Sequence, residues 1–293
     1  MSEEPSKILP FIEHLVELRK RLIIIVVAVV IGMGFAWNLA DEILKYMEKP
    51  LTGTTYLDSA KIKGYQYLKE NFPAIYSRAN LEQELNKPKK QHSLNYTAPL
   101  EPFFMQCKIS VIAGFILVLP IVFYQVWAFV APGLTHKERR LVVPFVTVAT
   151  FAFCLGALFF LTTIWPFIIN FSLSYETEGL RSWLSLSAYV DFCLRLILLF
   201  GLIAELPVIT LLLARFGIVS YQFLAPKRKY ALLASSIVAA FHSDLVTMFV
   251  IMIPLYLMYE VSVWVALIFG KRKGSPSTDQ EPDQEQATFS NEP

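Results

Sequence analysis

Residues 22–40 carry no charge and are just long enough to cross a ~30 Å hydrocarbon core at about 1.5 Å per residue. Uncharged runs recur at 109–136 and 141–175, and a fourth at 196–214 is interrupted by one acid, Glu205. A chain with four such runs has little choice of fold class. Backbone amides in lipid must be satisfied within their own segment, so each run is expected to be a helix. Composition agrees: 55% of the 293 residues are hydrophobic and 17% are charged, against about 25% charged in soluble domains. The expectation is an all-α, polytopic membrane protein.

Breaks within the runs are readable too. Pro120 interrupts the second. The third is too long for one perpendicular span, so it either tilts or leaves the bilayer near Trp165 and Pro166. Residues 230–270 would make a helix of roughly 60 Å, about two thin spans. Basic triplets flank them, Lys227–Lys229 before and Lys271–Lys273 after. The positive-inside rule places both triplets in the cytoplasm, so the chain must cross and return. His242, Ser243 and Asp244 form the natural turn between two short helices.

The clusters at 19–21, 137–140, 227–229 and 271–273 are each separated by two spans. This predicts six transmembrane helices, the last two short, with both termini cytoplasmic. The polar segment 41–104 then lies outside as an enlarged loop, its Lys and Glu spread among Tyr and Leu as in a small helical insertion. Residues 22–270 form the membrane domain. Residues 271–293 form a cytoplasmic tail expected to be disordered, lacking basic residues after 273. The polar N-terminus and the absence of a small-residue cleavage site mark the first run as a retained span, not a signal peptide.

Several function classes drop out. A net charge of +2 is too small to suggest nucleic-acid binding, and no HExxH, GxSxG or P-loop string points to an enzyme. Cys107, Cys154 and Cys193 are odd in number and lie in or beside apolar runs, so neither a disulfide framework nor a metal site is expected. No cofactor is implied.

The N-terminal cytoplasmic segment 1–21 is more informative. On a helix, Phe11, Ile12, Leu15, Val16, Leu18 and Leu22 gather on one side, and Glu13, His14, Glu17, Lys20 and Arg21 on the other. That is an amphipathic helix suited to the membrane interface. Arg19 falls inside the apolar arc and must snorkel or find a carboxylate. One reading is a positive-inside flank with a Glu17–Arg21 pair at i,i+4. The other is a preformed charged surface. Glu138, among Lys137, Arg139 and Arg140, is by itself a local ion pair worth under ~1 kcal/mol. Glu205 reads either as a neutral acid hydrogen-bonded across the bundle or as a carboxylate facing a concave, water-lined surface. Glu260 sits near the inner interface in the last span. With these acids the residues also allow a proton-coupled small-solute transporter, although no repeat at a fixed period supports one.

The strings HLVELRKRL at 14–22, YQVWAFVAPGL and KERRLVVP resemble TatC, the multi-spanning core of the twin-arginine protein translocase. The resemblance covers roughly residues 8–269, apart from the loop within 41–96. It implies a receptor in the bacterial inner membrane that binds the twin-arginine signal peptides of folded cargo and exports them on the proton gradient. Implied partners are TatA-like and TatB-like single-span subunits, membrane lipids and further copies of the chain. By motif match, Glu17 and Glu138 would meet the signal's arginines, with Arg19 supporting and Phe129 alongside. The resemblance also favours a functional Glu205. Of the family's Thr-Pro-Pro-Asp-like outer turn, only Asp244 is matched here. Positions that in the family dock the small partners, such as Val238, Phe241 and Met248, are apolar.

Overall fold

The computed structural model describes residues 8–52, 56–73, 92–130, 142–177, 182–240 and 245–269. The regular elements among the described residues are all helices, with no strand beyond an isolated bridge between Asn95 and Ser185. Glu138, Asp244, the basic clusters at 137–140 and 271–273 and the tail lie outside them.

The interface segment and the first span are one element. Helix α1 (Ile8–Ala36) runs unbroken for 29 residues, about 43 Å. No Gly or Pro falls between residues 11 and 31 to interrupt it. A 3₁₀ turn at Trp37–Leu39 leads into α2 (Ala40–Thr52), and α3 (Tyr56–Asn71) follows. The polar segment after the first span therefore begins as helix. Ala40, Met47, Pro50 and Leu51 of α2 are buried, while its charged side chains face outward.

Helices α4 (Glu101–Leu117) and α5 (Leu119–Val130) form the second run, bent by 59° at Val118. Pro120 has no N–H to donate and its ring crowds the carbonyl of Ile116, so the axis must turn there. The third run is continuous over 32 residues: α6 (Val142–Phe159), a π turn at Phe160–Ile164, then α7 (Trp165–Leu173). The wider turn falls immediately before Trp165 and Pro166, where the i→i−4 ladder loses a donor. The fourth run begins ten residues earlier than its uncharged stretch, as α8 (Leu186–Ala204), and continues past a break at Glu205 as α9 (Leu206–Arg215). Pro207 causes that break in the same way.

A short helix α10 (Tyr221–Leu224) and a 3₁₀ turn precede α11 (Arg228–Ala240), and α12 (Leu245–Phe269) ends the described chain. The last two helices are unequal, against the expectation of two short ones. Helix α11 has 13 residues, about 20 Å, while α12 has 25, about 38 Å. Among the described residues four segments are long and apolar enough to cross a membrane, and α4 with α5, taken as one bent span, makes a fifth. Helix α11 falls short of the ~30 Å core.

Helix α8 is the hub, with Tyr189, Val190, Cys193, Leu196, Ile197 and Phe200 among its buried residues. Small residues let neighbours approach. A Cβ on Gly32 would lie 2.6 Å from Gly114 O, and one on Gly114 only 2.4 Å from Met33 N. Helices α1 and α4 thus cross backbone to backbone, the close packing that apolar lipid favours. At the end away from the N-terminus, Trp165 Nε1 and Tyr189 Oη both donate to Met47 O, at 2.9 and 2.6 Å. The two rings meet edge to face at 4.8 Å. Those contacts bind α2, α7 and α8 into one cap.

Candidate functional site

The packing of α1 on α4 and α5 brings the inner part of α1 alongside the far end of α5. Glu17 and Arg21 lie one turn apart and pair: Arg21 Nε donates to Glu17 Oε1 at 3.1 Å and Nη2 donates to the same oxygen. Arg21 Nη1 also donates to Gln125 Oε1 on α5, at 3.3 Å. One turn further out, the His14 and Phe129 rings stack at 4.2 Å. These four side chains pin α1 to α5 through one polar and one aromatic contact.

Arg21 engages one carboxylate oxygen of Glu17. Among the described residues Oε2 has no partner, and the Glu17 side chain is 34% exposed. A half-exposed pair of this kind contributes no more than ~1 kcal/mol, so a stronger cation can displace it. A guanidinium is such a cation, since its fork matches a carboxylate with two parallel hydrogen bonds. Gln125 would then accept the released Arg21. The patch has the chemistry to capture one arginine next to a half-buried aromatic ring.

The other expected residues are distributed differently. Arg19 is exposed and, two positions from Glu17, points about 200° away around the helix. It makes no hydrogen bond or ion pair with a described residue, and the geometry does not join it to Glu17. Phe129 does stand beside the site. Glu138 and Asp244 fall outside the described residues. Sequence reasoning missed Gln125 and His14 as site members. Their signal was the string that contains them, but a contact across 104 residues has no local signature.

Glu205 is 3% exposed, at the break between α8 and α9. Its Oε1 has no hydrogen-bond partner among the described residues. Neither sequence reading describes it fully: it faces no open surface, and this oxygen is not bonded across the bundle. An apolar cavity of about 410 Å³ lies nearby, lined by Gly156, Phe200, Ala204, Pro207 and Pro254, and Glu205 is not in its wall. Glu260 is neutralised. Arg228 Nε lies 2.9 Å from its Oε1, Arg228 Nη2 donates to Oε2 at 3.1 Å, and Tyr256 Oη donates to Oε1 at 2.8 Å. That network clamps the start of α11 to α12.

Comparison with known proteins points one way. A family model for TatC, described as the Sec-independent protein translocase protein, matches residues 13–254. The Sec-independent protein translocase protein TatC of Desulforapulum autotrophicum is 33% identical over 277 residues, covering 94% of this chain and 90% of the relative. That of Aquifex aeolicus is 30% identical over 268 residues, covering 90% and 98%. Among solved structures, the crystal structure of the twin-arginine translocase receptor TatC superposes with a TM-score of 0.66 at 29% identity, covering 87% of this chain and 98% of that one.

Proposed function

The chain belongs to the TatC family of Sec-independent protein translocase proteins, and on that premise we propose that it is the twin-arginine signal-peptide receptor and membrane core of a Tat translocase. The observation that carries the reading is Glu17. It is held at the inner end of α1 by Arg21, leaves Oε2 open, and lies beside Gln125 and the His14–Phe129 stack. Glu138, between α5 and α6 in the sequence and outside the described residues, supplies the second acid for the second arginine. Because an arginine does not lose its proton and donates in a fixed fork, the site prefers it to lysine.

In this reading the chain crosses a bacterial inner membrane six times with both termini in the cytoplasm, α11 being a thin fifth crossing. It works with TatA-like and TatB-like single-span subunits and further copies of itself, and it is no enzyme. Folded cargo moves on the proton gradient. The solute-transporter alternative loses its footing. One of its two carboxylates, Glu260, is fully engaged by Arg228 and Tyr256, and the relatives are translocase proteins.

Photo-crosslinking tests the site. A probe placed in a signal peptide next to its arginine pair is expected to label His14, Gln125 or Phe129, and Glu17→Ala with Glu138→Ala should abolish the labelling. Unchanged crosslinks in a double variant that still inserts would show that the site is wrongly assigned. Single cysteines test the topology: Gln91 should label from outside and Ser275 only from the cytoplasm.

A further inference from the structure

The α8 helix starts earlier than its uncharged run, and the extension carries two charges into the membrane, Asp191 and Arg195. Opposite them on α4 is Lys108. A cavity of about 800 Å³ lies between these helices, open to the side, with Phe104, Lys108, Val111, Asp191, Arg195 and Leu198 in its wall. Lys108 Nζ donates to both oxygens of Asp191, at 2.8 and 2.9 Å, so those charges cancel. At the rim, Glu101 accepts the N–H groups of Thr97, Ala98 and Ser187. It sits at the N-terminus of α8, where the helix dipole offsets its charge. Arg195, one turn deeper than Asp191, is exposed and makes no bond to a described residue. Among the described residues it is the cation of the cleft without a bonded partner.

Its depth narrows what can balance it. Segment Leu186–Arg215 is 30 residues, about 45 Å. Centred on the bilayer, it puts Asp191 about 14 Å and Arg195 about 8 Å from the mid-plane, against a half-thickness of ~15 Å. Arg195 therefore reaches the headgroup level of that leaflet only by snorkelling along the cleft. Val111 and Leu198, deeper than the charged pair, give the lower wall an apolar surface.

We infer that the α4–α8 cleft seats one anionic glycerophospholipid of the leaflet away from the N-terminus, its phosphate bound by Arg195 beside the Lys108–Asp191 pair and its upper acyl chain against Val111 and Leu198. An arginine that snorkels along an apolar wall can meet a lipid phosphate, for which its guanidinium provides bidentate donors.

The test is native mass spectrometry of the full chain purified in detergent, with phosphatidylglycerol or diacylglycerol of the same chains added back. The parent should retain phosphatidylglycerol at least about tenfold better than diacylglycerol. Arg195→Gln should lose about tenfold in retention, and Asp191→Asn, which frees Lys108, should gain. Millimolar inorganic phosphate should leave the lipid in place. Equal retention by the parent and Arg195→Gln, or equal retention of diacylglycerol, overturns the proposal. So does an Arg195→Gln protein that keeps the lipid but loses a co-purifying single-span subunit, which would assign the cleft to a partner's helix. Should Arg195→Gln fail to fold, Asp191→Asn decides: retention that is unchanged or lower overturns it.

Discussion

The two ends of this bundle are held by different physics. Away from the N-terminus, α2, α7 and α8 meet through buried Trp165 and Tyr189, whose donors converge on a single carbonyl of Met47. At the other end, α1 meets α5 through half-buried Arg21, Gln125 and Phe129 and exposed His14, and Glu17 keeps an oxygen that no described residue engages. In the cap the Trp165 and Tyr189 donors are both committed to Met47. The rim is stabilised by contacts weak enough to be exchanged for better ones. A receptor needs both: a fixed frame and, on it, a carboxylate whose present partner can be displaced.

Perturbations should therefore separate stability from recognition. The largest effect is expected from Trp165→Ala, which removes a wholly buried ring and a hydrogen bond. It should cost on the order of 3–5 kcal/mol, seen as a collapse of the melting temperature in detergent. Gly114→Val comes next. Its side chain would drive into the backbone of α1 at Met33, and an overpacking cost of about 1–3 kcal/mol should loosen α1 and lower both stability and signal-peptide binding. Glu17→Gln reverses the pattern. Stability should change by under ~1 kcal/mol, while affinity for a twin-arginine peptide falls by about tenfold or more. The smallest effect is Tyr189→Phe, about 1 kcal/mol of stability with recognition untouched. If Glu17→Gln melts the protein as Trp165→Ala does, the distinction between frame and rim fails.

The same contrast separates what could be read from the sequence from what could not. Apolar runs and proline positions are local. No break was expected at Pro207, and the third run was expected to tilt or leave the bilayer near Trp165, but the interruption at Pro120 was legible. The start of α8 was not. A span sought as an uncharged run begins at residue 196, because Asp191 and Arg195 look like loop residues until Lys108 is placed opposite them. The docking of α2 depends on one buried face meeting Trp165, 118 positions away. In the candidate site, Glu17 and its i,i+4 partner were visible, but Gln125 was not. Arg19 drew attention by breaking the apolar arc, and the folded chain turns it away from the pair. The unequal lengths of α11 and α12, and the Arg228–Glu260 clamp that joins the start of α11 to the interior of α12, are not contained in a hydropathy pattern.

The central claim is that one carboxylate on α1 reads arginine in an incoming signal. Fluorescence anisotropy with a labelled signal peptide measures this directly, by comparing Arg-Arg and Lys-Lys versions on the parent and on Glu17→Gln. The parent should bind the Arg-Arg peptide at least about tenfold more tightly, and in Glu17→Gln that preference should shrink to a few-fold. An undiminished preference for Arg-Arg in a well-folded Glu17→Gln protein would contradict the account.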